Sequence, residues 1–159
     1  MNYILIGMSG CGKTTVGRAL AEALGFTFVD LDEEIERRQG KSIVQIFQEV
    51  GEVGFRKLES EELARWQGTQ NMVIATGGGV VTQPRNLPVL KELGKVIFLN
   101  RSLQSIAQTI QTSTRPMLHK DDTALQRLYD ERLPLYRSCA DVEINADGSV
   151  EEVVKAITF

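Results

Sequence analysis

The chain has 159 residues, the length of one domain, and its 42% apolar and 25% charged content is that of a globular protein. This excludes a disordered, collagen-like, coiled-coil or disulfide-stapled chain, and no apolar run reaches the roughly 20 residues of a membrane helix. A net charge of −3 gives no basic excess for nucleic acid, and a single histidine, His119, gives no histidine pair for a metal.

The opening Met1–Gly7 has no basic lead and reaches glycine early, so no secretory signal is expected. With Cys11 and Cys139 far apart and without metal-ligand spacing, the expectation is a cytoplasmic protein with reduced thiols. The first strand-like run, Tyr3–Ile6, leads into Gly7-Met8-Ser9-Gly10-Cys11-Gly12-Lys13-Thr14-Thr15. This matches G-x-x-x-x-G-K-[ST] between a strand and a helix, the setting a phosphate-binding loop requires. Its glycines let successive N–H groups point inward at phosphate oxygens, and the following helix adds its positive end. Lys13 is placed to bridge β- and γ-phosphates, and the Thr14 hydroxyl to ligate Mg²⁺. A dinucleotide-binding reading through Gly10, Gly12 and Asp30 fails, because Thr15 stands where a third small residue belongs and Lys13 would have no role.

The helix Lys13–Leu24 ends at Gly25, and a second strand is expected over Phe26–Asp30. It runs into Asp30-Leu31-Asp32, whose two carboxylates point the same way. Asp30 suits water-mediated Mg²⁺ holding; Asp32 suits hydrogen bonds from a substrate hydroxyl, or merely caps a helix over Glu33–Arg38. Ser42-x-x-Gln45 reads as a capping box. The helix Glu52–Trp66 is apolar at Val53, Leu58, Leu63 and Trp66 with charge on the other face, carries Arg56 beside Phe55, and ends at Gly68.

A third strand, Met72–Thr76, is followed by Gly77-Gly78-Gly79-Val80-Val81. Three glycines together are costly in entropy unless something must approach the backbone closely. The fourth strand is Val96–Leu99. Next, Gln111–Asp122 is polar and the size of a lid loop; it holds Arg115-Pro116-Met117-Leu118, and His119, read as solvated. Glu131-Arg132-Leu133-Pro134-Leu135-Tyr136-Arg137 precedes a fifth strand, Val142–Asn145, and Ser149-x-x-Glu152 is a second capping box. The first four strands look too continuously apolar to be half-exposed. The pattern predicts one α/β domain over residues 1–159, a parallel sheet of five strands flanked by helices, with ligands beyond the strands' carboxyl ends.

These segments, in this order and over essentially the whole chain, resemble the shikimate kinases, small P-loop kinases akin to nucleoside monophosphate kinases. The resemblance rests on Gly7–Thr15, Asp30-Leu31-Asp32, Phe55-Arg56, Gly77–Gly79 with Val80-Val81, Arg115-Pro116 and Arg132–Arg137. It implies strand order 2-3-1-4-5 and transfer of the ATP γ-phosphoryl group to the 3-hydroxyl of shikimate, a step toward chorismate. It further implies that Gly10, Cys11, Gly12, Lys13, Thr14 and Thr15 bind ATP phosphates, and that Thr14 and Asp30 serve Mg²⁺. Asp32, Arg56, Gly77, Gly78, Gly79 and Arg132 would hold shikimate, the two arginines at its carboxylate. Lys13, Asp32 and Arg115 would form the catalytic set, Arg115 reaching the phosphate from a lid over about 111–122. A monomer with small-molecule substrates only is expected.

Two departures bear on the adenine. Gln108 stands where family members often carry an arginine, and Ala146-Asp147-Gly148-Ser149 lacks a basic residue. Cys11 reads as a small filler. A kinase for gluconate or a nucleoside monophosphate shares the phosphate loop but is not expected to combine the glycine triplet with Arg132–Tyr136. A non-catalytic GTPase-like switch would need an N-K-x-D motif, which the chain lacks.

Overall fold

The computed structural model describes the backbone of residues 1–111 and 122–158, with side chains of 108–123 outside the description. Five strands form one parallel sheet: β1 (Tyr3–Ile6), β2 (Thr27–Asp30), β3 (Met72–Ala75), β4 (Lys95–Asn100) and β5 (Val142–Asn145), in order β2-β3-β1-β4-β5. Both the strand positions and the order agree with the sequence reading to within a residue or two at the ends. Side chains alternate between two cores. Ile4, Ile6, Ile74, Val96 and Phe98 face one, and Leu5, Val73, Ile97 and Leu99 the other.

The second core lies under α1 (Lys13–Leu24) and α7 (Val150–Thr158). The first is closed by the carboxyl half of α3 (Ile43–Arg65), by α4 (Asn86–Leu93), α5 (Leu103–Gln111) and α6 (Asp122–Cys139). A short helix, α2 (Leu31–Gln39), packs with α3 around Ile35, Ile46 and Phe55. The α3 capping box at Ser42 and Gln45 is present. The helix bends at Gly51, whose φ of 68° and ψ of −175° are non-helical, so the segment after it begins where the sequence places Glu52.

Two expectations change. β2 lies at the edge of the sheet, with Thr27 exposed and Phe28 half-buried beneath Arg18, so it is not covered on both faces as the apolar run suggested. On α3, Val53 is 86% exposed, and the inward stripe instead carries Phe55, Arg56, Glu59, Glu62 and Leu63. Charge is buried there because it is paired. Glu62 accepts from Arg38 Nε at 2.7 Å and from Trp66 Nε1 at 3.1 Å, and Arg56 and Glu59 pair with each other. The lid expected over 111–122 falls almost wholly outside the described residues.

Gly94, between α4 and β4, is packed against the chain preceding β1. A Cβ there would overlap the backbone carbonyl of Asn2, which already accepts the Lys95 N–H at 2.9 Å. Backbone cannot swing aside as a side chain can, so Gly94→Ala should destabilise the fold by roughly 1–3 kcal/mol, read as a lower urea midpoint. An unchanged midpoint would show that this junction is looser than described.

Candidate active site

Three neighbouring strands, β2, β3 and β1, deliver the three motifs to one end of the sheet. Connections leave β1 and β3 in opposite directions, which opens a crevice between them at their carboxyl ends, where open α/β sheets bind ligands.

From β1 comes the phosphate loop. Gly7, Gly10 and Gly12 all have positive φ (149°, 84° and 94°), and Gly12 starts α1 with no side chain capping it, so the helix's first N–H groups are left for a ligand. Lys13 lies back over its own loop, with Nζ donating to the carbonyls of Gly7 and Met8. A recess of about 150 Å³ beside it is lined by Gly10, Gly12, Lys13, Thr14 and Thr15 among others. Cys11 is the member of the expected set not brought to this recess. It is buried, its N–H donates to the Met8 carbonyl at 3.1 Å, and its Sγ lies 3.8 Å from Lys13 Nζ.

From β2 come the two aspartates, and their roles divide differently from one alternative in the sequence. Asp30, not Asp32, caps α2: its Oδ1 accepts the N–H groups of Asp32 and Glu33 at 2.9 and 3.3 Å. Its Oδ2 accepts the Thr14 hydroxyl at 3.0 Å. Two hard oxygen donors thus already touch at the mouth of the phosphate loop, the chemistry a divalent cation such as Mg²⁺ selects. Among the described residues no group of three or more His, Cys, Asp or Glu forms a metal cage. The fit is therefore to a cation carried mainly by phosphates and water. Asp32, freed from capping, faces a cleft of about 620 Å³.

The cleft also takes Arg56 and Glu59 from α3, Gly77–Gly79 after β3, and Arg132 from α6. The triplet explains how they fit. A Cβ on Gly77 would come within 2.7 Å of Glu59 Oε2 and 2.9 Å of Asp32 Oδ1. One on Gly79 would overlap the Arg56 guanidinium, and one on Gly78 would meet Ser9 Oγ at 3.1 Å and Arg132 Nη1 at 3.3 Å. Bare backbone is what lets four charged groups close on one spot. Arg56 and Arg132 are only 6% and 9% exposed. Arg56 Nη1 donates to Glu59 Oε1 at 3.0 Å, with Glu52 3.7 Å from its Nε. Two guanidinium groups in a shared pocket with Glu59 and Asp32 offer donor forks that can take a further anion.

Cleft and recess share Ser9, Thr14, Asp30, Asp32 and Gly78, so they are joined end to end. The sequence reading named the strand-end motifs and arginines of this lining but missed Ser9, Glu59 and the wall from α2 and α3 that includes Glu36, Ile43, Val44 and Phe47. It also missed Arg101, outside the lining, whose Nη1 braces the phosphate loop at the Gly10 carbonyl, 3.0 Å away. Glu59 stands three residues after Arg56 on a helix, an ion-pair spacing that would have flagged it. Arg115 lies outside the described residues, as does the Gln108 side chain.

A phosphate loop opening into an anion-binding cleft on this sheet defines a P-loop phosphotransferase acting on a small molecule. The family model for shikimate kinase matches residues 9–158, and the chain belongs to that family of ATP-dependent kinases. A shikimate kinase from Persephonella marina is 41% identical over 148 residues, covering 92% of this chain and 90% of that protein. The solved shikimate kinase from Acinetobacter baumannii in complex with shikimate is 40% identical with a TM-score of 0.94, over 99% of this chain and 90% of that one. A gluconokinase from Sinorhizobium meliloti, at 18% identity and a TM-score of 0.61 over 97% of this chain and 87% of that one, shares the fold alone.

Glu59 gives the site a pH signature. Burial pushes its carboxyl from the ordinary 4.5 up to about 7, against the opposing pull of Arg56 and with the repulsion of Asp32 assisting. The folded state therefore binds more protons than the unfolded one between those values, and stability falls as pH rises from about 4.5 to 7. The loss is on the order of 3 kcal/mol for the empty protein. Urea unfolding at pH 5 and pH 8 should show that slope in the wild type and not in Glu59→Gln. Parallel pH dependences would mean that Glu59 ionises normally.

Proposed function

We propose that this chain transfers the ATP γ-phosphoryl group to the 3-hydroxyl of shikimate through the joined recess and cleft. The observation that carries the reading is the junction itself, where Asp32 and Gly78 border the phosphate loop on one side and the Arg56–Arg132 clamp on the other. A ring acid with its carboxylate on the two guanidinium groups would present its hydroxyls toward Asp32 and the phosphate loop. The Acinetobacter relative, solved in complex with shikimate, supports that acceptor.

In this reading the amides of Gly10–Thr15 and the Lys13 ammonium bind the ATP phosphates, Lys13 leaving its own loop carbonyls to do so. Cys11 contributes backbone only. Thr14 would ligate Mg²⁺ directly and Asp30 through water; the cation supplies charge neutralisation on the transferring group when bound. Asp32 accepts the hydrogen bond of the 3-hydroxyl and aims its oxygen at the γ-phosphorus. Phosphoryl transfer has a loose transition state, so aiming the nucleophile and neutralising equatorial charge contribute more than strong deprotonation. Arg56 and Arg132 hold the carboxylate bidentately, and the Gly77–Gly79 backbone lies against the ring. Arg115 is assigned to the transferring phosphate, in a lid over about 111–122, by the family resemblance alone. We read the protein as a cytoplasmic monomer of one domain. Among the described residues no helix is long and apolar enough to cross a membrane.

The discriminating experiment is ADP formation with ATP and Mg²⁺ against a panel of acceptors. Turnover with shikimate and none with gluconate or nucleoside monophosphates is expected; the reverse pattern overturns the assignment. Lys13→Ala should lower kcat by about a thousandfold with the melting temperature little changed, since it removes a preorganised cation from the developing charge. Arg132→Ala should raise KM for shikimate by roughly a hundredfold while KM for ATP stays near wild type, because a charge-assisted bidentate contact is lost from one substrate only. An effect confined to ATP would remove Arg132 from the clamp.

A further inference from the structure

One buried hydroxyl connects two parts of the cleft that come from different elements. Tyr136 follows Arg132 by four residues on α6, so both side chains leave the same face of the helix and both are buried there. The Tyr136 ring stacks on Phe98 of β4 with centroids 5.0 Å apart. Its O–H donates to the Gly78 carbonyl at 2.5 Å, and Arg132 Nη1 lies beside the same glycine, 3.3 Å from where a Gly78 Cβ would stand. Burial raises the phenol's pKa, so near neutral pH it keeps the proton that it gives to Gly78.

The chemistry of the triplet shows why such a tether matters. Glycine backbone has the most freedom to lose, and fixing one residue costs roughly 1–2 kcal/mol. Gly78 has no side chain by which the fold could hold its peptide plane. Arg132 likewise ends a long, rotatable side chain. Tyr136, in contrast, has a rigid ring wedged in the core, one helical turn after Arg132, and its oxygen holds the Gly78 carbonyl.

We propose that Tyr136 is a positioning residue whose hydroxyl ties the Gly78 peptide to α6, the helix that carries Arg132, setting the acid clamp and the ring-facing backbone in register before the acceptor arrives. The proposal rests on the assignment of Arg132 and Gly78 to the acceptor. Its effect is expected mainly on the acceptor, because the hydroxyl's hydrogen bond goes to the glycine triplet, although Gly78 also borders the phosphate recess.

The test is Tyr136→Phe, which keeps the ring against Phe98 and removes only the oxygen. Leaving the Gly78 carbonyl unsatisfied and its peptide no longer held against α6 should raise KM for shikimate roughly tenfold, with KM for ATP and kcat within about threefold of wild type. Isothermal titration of shikimate into the nucleotide-free variant should show the same loss. Val96→Ala, a core truncation on β4 away from the cleft, controls for stability: it should lower the melting temperature without shifting KM for shikimate. The proposal is overturned if Tyr136→Phe leaves shikimate binding within twofold, or if it raises both KM values together as the melting temperature falls. Arg132→Ala, measured alongside, separates the two failures. If it weakens shikimate binding while Tyr136→Phe does not, the clamp stands and only the tether is wrong; if neither does, the acceptor site itself is misassigned.

Discussion

A guanidinium buried in a protein must be compensated, and the architecture beyond β1, β2 and β3 is organised around two of them. Arg56 and Arg132 are more than nine-tenths buried, and Glu59, almost wholly buried, lies beside them. Asp32 faces the same spot, and burial holds Glu59 partly protonated near pH 7. The guanidinium forks are only partly used, with Arg56 Nε lacking a hydrogen-bond partner among the described residues in a poorly solvated place. In the proposed reading an incoming carboxylate would take the donors left over. The constraint also explains the triplet. Side chains at residues 77–79 would push out the charged groups whose mutual closeness defines the receptor.

The topology places this receptor opposite a second one without a linker or a second domain. In the order β2-β3-β1-β4-β5, the phosphate loop and the triplet end adjacent strands, and Asp30 and Asp32 end the next one along. Parallel pairing sends all three motifs to the same edge of the sheet. The short α2 begins there with Asp30 as its cap, which fixes that aspartate against Thr14 and turns Asp32 toward the cleft. A single residue thus starts a helix, braces the phosphate loop and orients its neighbour.

Much of this was legible in the chain because it is local. The phosphate loop is contiguous, its glycines carry the left-handed φ values that the motif demands, and strand ends follow from short apolar runs between turn residues. What escaped was non-local or contrary to hydropathy. The α3 face was misjudged because hydropathy puts Val53 inside and Arg56, Glu59 and Glu62 outside. Pairing with Arg38, Trp66 and each other reverses this. β2 reads as a buried strand, since nothing within its own residues says that no strand will pair beyond it. The sequence offers only Asp32 as a cap, for a helix from Glu33; the turn into α2 puts Asp30 against the helix N–H groups instead. Arg101 and Tyr136 became visible only when distant segments met, at Gly10 and at Gly78.

The sign of each charge along the joined pocket bears on how two anions share it. At one end the phosphate loop offers amides, a helix N-terminus and Lys13; at the other, Arg56 and Arg132 offer guanidinium forks. Between them stand two carboxylates, Asp30 and Asp32, which would repel either anion if it slid toward the middle. In the proposed reading a triphosphate and a ring acid would each bind at its own cationic end, and the γ-phosphoryl group would approach the junction with its charge neutralised by Lys13 and a cation at Thr14 and Asp30. In that reading, selectivity for a hydroxylated acid would follow from this layout as directly as affinity does. An acceptor without a carboxylate would leave the guanidinium donors that Glu59 does not use without an anion, and one without a hydroxyl at the right reach would leave Asp32 with nothing to aim.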